Sequence, residues 1–179
     1  MEIHPQPKAG TARIRRSFKM SGPVWEFVHG VECGAPRRFA WAYWTNAENW
    51  DDPPAQFEFD GPFRVGTRIK AKLPGQELES AIREVVEGRA ARIEMDVMGA
   101  VVAFAWNFLE LDGERTRITQ QIRLSGAGAG ALVEQAKALE QSVPQGMARL
   151  VQHIERKWAE KGSGREDVAP PEKTADGAT

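Results

Sequence analysis

Few residues in this chain have chemistry to offer, and His29 comes first among them. It stands in VWEFVHGVE, residues 24–32, where alternation puts Trp25, Phe27, His29 and Val31 on one face of a strand. An imidazole titrates near neutrality and suits general acid–base work. However, no acid adjoins it in sequence to orient it, and Glu26 and Glu32 fall on the opposite face. His29 is the one candidate for catalysis, and no catalytic residue is assigned. Gln120 shares a face with Ile118 and Ile122. A buried polar group left unsatisfied costs roughly 1–3 kcal/mol, so His29 and Gln120 each need an internal partner, a water or a ligand. Together they are placed to orient an oxygen of a bound molecule.

Other chemistries find no support in spacing. His4, His29 and His153 are isolated and show no metal-ligand pattern. The single cysteine, Cys33, forms no internal disulfide or thiolate cluster. No metal or cofactor is expected. Ser125 and Ser142 lack a paired base and a GxSxG setting. The run GAGAG at residues 126–130 is not GxGxxG, and the strand before it alternates with Arg117 and Arg123 where a central parallel strand would be uniformly apolar. It reads as a strand-to-helix hinge, bordering a cavity mouth together with the loop at Gly99.

The aromatic supply is the strongest clue. Six tryptophans and eight phenylalanines accompany one tyrosine, and Trp25, Phe27, Phe104, Trp106 and Phe108 fall in phase on strands. An indole needs space and a partner for its N–H, so clustered tryptophans suit a pocket for flat apolar molecules. Plain core filling accounts for them equally well.

The element that must position these residues is a helix over residues 131–161. Leu132, Ala136, Leu139, Val143, Met147, Leu150, Ile154 and Trp158 recur every three or four residues, opposite Glu134, Lys137, Glu140, Gln145, Arg149, Gln152 and Arg156. Such a helix would be roughly 46 Å long, with a kink expected near Pro144 and Gly146. Its stripe needs a broad partner. Strands are predicted at residues 24–32, 56–60, 67–73, 80–86, 92–98, 101–111 and 116–124, the later ones joined by connections short enough to be hairpins. Pro36 opens a short helix carrying Phe39, Ala40, Tyr43 and Trp44 on one side, and residues 45–52 hold a second one or a turn. The expected architecture is α+β: a strongly curved antiparallel sheet of about seven strands wrapped round a long C-terminal helix, with two short helices after the first strand.

At 179 residues, 41% hydrophobic and 27% charged, the chain fits one domain with tails. Residues 1–17 read as a basic, partly disordered arm, 18–161 as the domain, and 162–179 as a disordered tail. A net charge of −1 gives no field to recruit nucleic acid. The absence of a long apolar stretch predicts no integral membrane association, and one free cysteine suits the cytoplasm.

Element order and local wording resemble the START-like superfamily, also called SRPBCC, the helix-grip or birch-pollen-allergen fold, and in particular its polyketide cyclase/dehydrase-like branch. The residues carrying the likeness are PRRFAWAYWTN at 36–46, DGPFRVGT at 60–67, RTRITQQIRLSG at 115–126 and the Pro-interrupted last helix. Coverage runs from about Val24 to Glu160. Asn46 stands where an Asp is common, and Glu114-Arg115 replaces a frequent Gly before Thr116. The resemblance implies a cavity between sheet and long helix for lipid-, steroid- or polyketide-like molecules. A minority of members are enzymes, with no universal catalytic motif.

On that basis Trp25, Phe27, His29, Trp44, Trp50, Met95, Phe104, Trp106, Phe108 and Gln120 are expected to face a small hydrophobic ligand, with Val143, Met147 and Val151 reaching it from the helix. Two other functions stay open. One is a cyclase or dehydratase using the same cavity; the other is a protein-interaction or co-chaperone-like module. A monomer or homodimer is expected.

Overall fold

A computed structural model describes residues 22–50 and 53–163. Seven strands form one antiparallel sheet: β1 Trp25–Cys33, β2 Gln56–Phe59, β3 Arg68–Leu73, β4 Gln76–Val86, β5 Ala90–Val97, β6 Ala100–Asp112 and β7 Arg115–Gly126. Their order across the sheet is β1-β7-β6-β5-β4-β3-β2. Among the described strands only the β1–β7 pairing is non-local. Helix α1, Arg37–Thr45, and a 3-10 turn at Ala47–Asn49 follow β1; α2, Val133–Lys137, and α3, Leu139–Ser163, follow β7. The basic arm foreseen at residues 1–17 lies outside the described residues, as does the tail beyond Ser163.

Hairpins follow from local chemistry. β5 and β6 are joined by Met98 and Gly99, both at positive φ (51° and 77°), the pattern of the two-residue turn whose twist matches its flanking strands. β4 begins at Gln76, earlier than the sequence pattern suggested. The added turn of strand is held on its wet face, where Lys70 meets Glu77 and Arg68 meets Glu79 across the ladder. Hydrophobic alternation alone does not register such a segment.

Register sorts the two faces. Phe27, Ile122, Phe104 and Ile93 are successive cross-strand partners, and so are His29, Gln120 and Trp106. Partners across a ladder point to the same side, so these rows lie on the face turned toward α3. The opposite face carries ion pairs such as Arg117 with Glu32 and Arg123 with Glu26.

Helix α3 lies along β1 and is tied to it near both ends of the strand. The Trp25 indole Nε1 donates to Glu140 Oε1 at 3.1 Å, and the Gly34 amide donates to Glu155 Oε1 at 2.6 Å. Ile154, Met147 and Val151 enter the main core with Trp41, Trp44, Phe108 and Ile118. A second core gathers Val102, Ile122, Leu124 and Ala136, with Trp25, Leu132, Leu139 and Val143 against it.

The single helix expected over 131–161 is divided. A 3-10 turn at Ala129–Leu132 leads into α2, and the break falls at Ala138, where the amide donates back to Gln135. Pro144, expected to kink the helix, sits inside α3. Leu132, Ala136, Leu139 and Val143 all pack on the same core across the break, so their spacing carries no trace of it. Among the described residues no helix is long and apolar enough to cross a membrane.

Candidate functional site

Because α3 covers the β1 end of the sheet, the concave face of β3 to β6 is left with space above it. A cavity of about 490 Å³ occupies that space, closed by α1, the 3-10 turn and one side of α3. Ile69, Ala71, Leu73, Leu78, Ser80, Ile93, Met95, Phe104, Trp106 and Gln120 line it from the sheet. Tyr43, Trp44, Asn49 and Trp50 line it from the helical segment, with Phe57 from β2, and Leu139, Gly146, Arg149, Leu150 and His153 from α3. Exposure grades across this wall. Ile69, Ile93 and Trp44 are buried, whereas Arg149 and His153 are exposed and form the rim.

Trp44 is the hub of the aromatic wall. Its ring centroid lies 5.0 Å from Phe63, 5.1 Å from Trp106, 5.4 Å from Phe108 and 5.5 Å from Trp50. The tilted arrangements suit the ring quadrupoles better than a face-to-face sandwich. Trp50 donates its indole N–H to the Trp44 carbonyl, and Asn49 Nδ2 donates to the Tyr43 carbonyl, which fix the turn against α1. Trp41 points away, its Nε1 donating to Glu87 at 2.9 Å.

Gln120 is the polar exception on an apolar floor. It is 8% exposed, and its side-chain amide makes no hydrogen bond with any described residue. Among the described residues, every side-chain nitrogen or oxygen sealed from open space does have a partner. The Gln120 amide therefore opens onto space, and the space it borders is the cavity. By the same reasoning the indole N–H of Trp44, a residue of the cavity wall that is 4% exposed, is not sealed from open space and has no partner among the described residues.

Six of the residues expected at a ligand site share this wall: Trp44, Trp50, Met95, Phe104, Trp106 and Gln120. The other seven do not line it. Phe108 is buried beneath Trp41 and Trp44. Trp25, Phe27 and His29 are half-buried and stack in sequence along β1, whose inner face α3 occupies. Val143, Met147 and Val151 follow the seam that packs α3 into the cores, so the helix turns its neighbouring stripe, Gly146, Leu150 and His153, to the cavity. Arg149, which the sequence pattern assigned to water, stands at the rim. Ile69, Ala71 and Leu73 alternate along β3, Phe57 and Phe59 along β2, and Tyr43 shares one side of α1 with Trp44, so their sidedness is legible in the sequence; Asn49 has no distinguishing signal. The glycine hinge borders no part of the cavity but docks on the β5–β6 turn, where the Gly128 amide donates to the Gly99 carbonyl at 3.1 Å.

Elsewhere, burial and the nearby Glu155 charge push the Cys33 thiol up to about 11, so it carries no reactive thiolate at neutral pH. No group of three His, Cys, Asp or Glu residues among the described residues is arranged to hold a metal ion.

The architecture has close counterparts among solved structures. Norcoclaurine synthase from Thalictrum flavum, in complex with dopamine and hydroxybenzaldehyde, superposes with a TM-score of 0.60 at 17% identity over 84% of this chain and 96% of that one. The Zhui aromatase/cyclase from Streptomyces sp. R1128 gives 0.60 at 17% identity over 74% and 94%. This is the helix-grip fold. A protein from Nitrosomonas europaea extends the group, with a TM-score of 0.56 at 14% identity over 77% of this chain and 96% of that one. The sequence itself matches no family model and none of the curated proteins. In helix-grip terms, the cavity lies between the grip of the sheet and the helix it holds.

Proposed function

We propose that this protein binds a small, largely apolar, ring-bearing molecule of lipid, polyketide or steroid type in the cavity between sheet and α3. The observation that carries this is the aromatic wall of Trp44, Trp50, Phe57, Phe104 and Trp106 round a space of about 490 Å³. A core built only for stability closes such a space, because interiors pack to crystal-like density. Rigid rings with few rotamers line the space at low entropic cost, and an apolar guest gains roughly 25 cal/mol per Å² buried before ordering costs. The graded wall, from buried floor to exposed Arg149 and His153, favours a guest entering from the α3 side. The free thiol of Cys33 suits action in a reducing cytoplasm.

Native mass spectrometry of freshly purified protein, followed by solvent extraction, tests this reading. A co-purifying small molecule, or saturable uptake of an apolar fluorophore with tryptophan quenching, is the expected result. Protein that arrives empty and takes up no such probe would refute it.

A further inference from the structure

Resting on that reading, we infer that the guest carries a hydroxyl or carbonyl oxygen at its inner end, and that Gln120 is the residue that selects for it. A pocket for bare hydrocarbon would be lined by apolar groups alone, since each polar group stripped of water without replacement costs roughly 1–3 kcal/mol. Gln120 breaks that pattern at a place where an apolar residue would fit the alternation. Its strand neighbours on the same face, Ile118 and Ile122, are fully buried, and its cross-strand partners are Trp106 on β6 and His29 on β1. More than nine-tenths buried, it has neither of its amide functions engaged by a described residue, and it opens onto the cavity.

Its chemistry narrows the guest. A carboxamide offers a carbonyl acceptor and N–H donors. A guest hydroxyl can donate to the one and accept from the other, and a guest carbonyl can accept. The nearby geometry adds a second donor. Trp44, whose indole N–H is also unengaged, lies 5.1 Å ring to ring from Trp106, the residue opposite Gln120. An oxygen on a flat ring system held among these indoles therefore meets donors from both a carboxamide and an indole. Among the described residues no Asp, Glu, Lys or Arg lines the buried floor, Arg149 and His153 standing at the rim. The inner oxygen is thus neutral. Sites built to hydrogen-bond an oxygen reject analogues lacking it far more strongly than apolar pockets discriminate shape.

Two probes of equal shape separate the possibilities: 2-naphthol and 2-methylnaphthalene, each titrated against bound 1-anilinonaphthalene-8-sulfonate. Wild-type protein is expected to prefer 2-naphthol by about tenfold or more, corresponding to about 1.4 kcal/mol. In Gln120→Met, which keeps side-chain length without the amide, the preference is expected to fall below about threefold, with 2-methylnaphthalene affinity unchanged or improved. Trp44→Phe should narrow the gap by a smaller factor. If both probes bind and Gln120→Met leaves the preference intact, or if wild type shows no preference, the oxygen-selecting role is overturned while cavity binding stands. If the dye and both probes fail to bind wild-type protein, the cavity reading falls and the role falls with it. Matching thermal melts of wild type and Gln120→Met guard against loss of fold.

Discussion

Gly128 lies against the Met98 carbonyl so closely that a Cβ built on it would stand 2.1 Å from that oxygen. The approach locks the loop after β7 onto the β5–β6 turn, through the Gly128 amide and the Gly99 carbonyl. Gly128→Ala has to push two backbones apart, and is expected to destabilise the fold by about 1–3 kcal/mol. Gly130 has no heavy atom within 4 Å of the same construction, so Gly130→Ala should lie within about 0.5 kcal/mol of wild type. Urea midpoints of the two variants make the comparison; equal effects would mean the loop does not depend on this approach.

Trp44 joins α1, the sheet and the cavity wall in one cluster of rings. Trp44→Ala should cost about 3–5 kcal/mol, the range for a large aromatic removed from a core. Trp44→Phe keeps most of the ring packing and should cost clearly less. Chemical denaturation of both variants checks the order, and an Ala variant as stable as wild type would remove Trp44 from its central place.

Cys33 gives a pH dependence with a definite sign. Its folded-state thiol is raised from 9.0 to about 11, first by burial and then by Glu155. The folded protein holds this proton more tightly than the unfolded chain, so the contribution is whole below pH 9 and is lost as pH rises toward 11. Stability should fall more steeply over that window in wild type than in Cys33→Ala. At pH 8 the native thiol should resist a disulfide reagent and react only on unfolding. Glu155→Gln removes the negative charge while keeping an acceptor for the Gly34 amide, and should shift the onset of Cys33 ionisation to lower pH.

How far the sequence foretold this molecule depends on which physical signal each feature leaves. Strand alternation and short Gly-bearing connections leave a local one, so the seven strands and the hairpin pairing of the later ones were legible, whereas the β1–β7 pairing and the register that sets Trp106 opposite Gln120 depend on contacts distant in sequence. A helix interruption that preserves apolar spacing leaves none, and the break at Ala138 went unseen beneath the stripe from Leu132 to Val143. The site was legible in the same uneven way. Which residues are inward follows from periodicity, but whether an inward residue meets a neighbour or a void depends on where α3 lands. It lands on β1, so the stacked Trp25, Phe27 and His29 lie on the strand the helix covers while Trp106 and Gln120 face open space.

That landing point also separates two adjacent stripes of α3 by what they do. Met147 is 2% exposed and packed in the core, while Leu150 lies on the cavity wall. Enlarging Met147 has no free volume to use, so Met147→Trp should cost about 1–3 kcal/mol through overpacking and alter binding only through loss of fold. Leu150→Trp projects its added volume into the cavity. It should keep the melting temperature within a few degrees of wild type, yet reduce uptake of 1-anilinonaphthalene-8-sulfonate by about tenfold, the effect of about 1.4 kcal/mol. Melting curves and dye titrations on both variants decide the matter. The reverse pattern, with Met147→Trp stable but closed to the dye, would mean that α3 presents its other stripe to the guest.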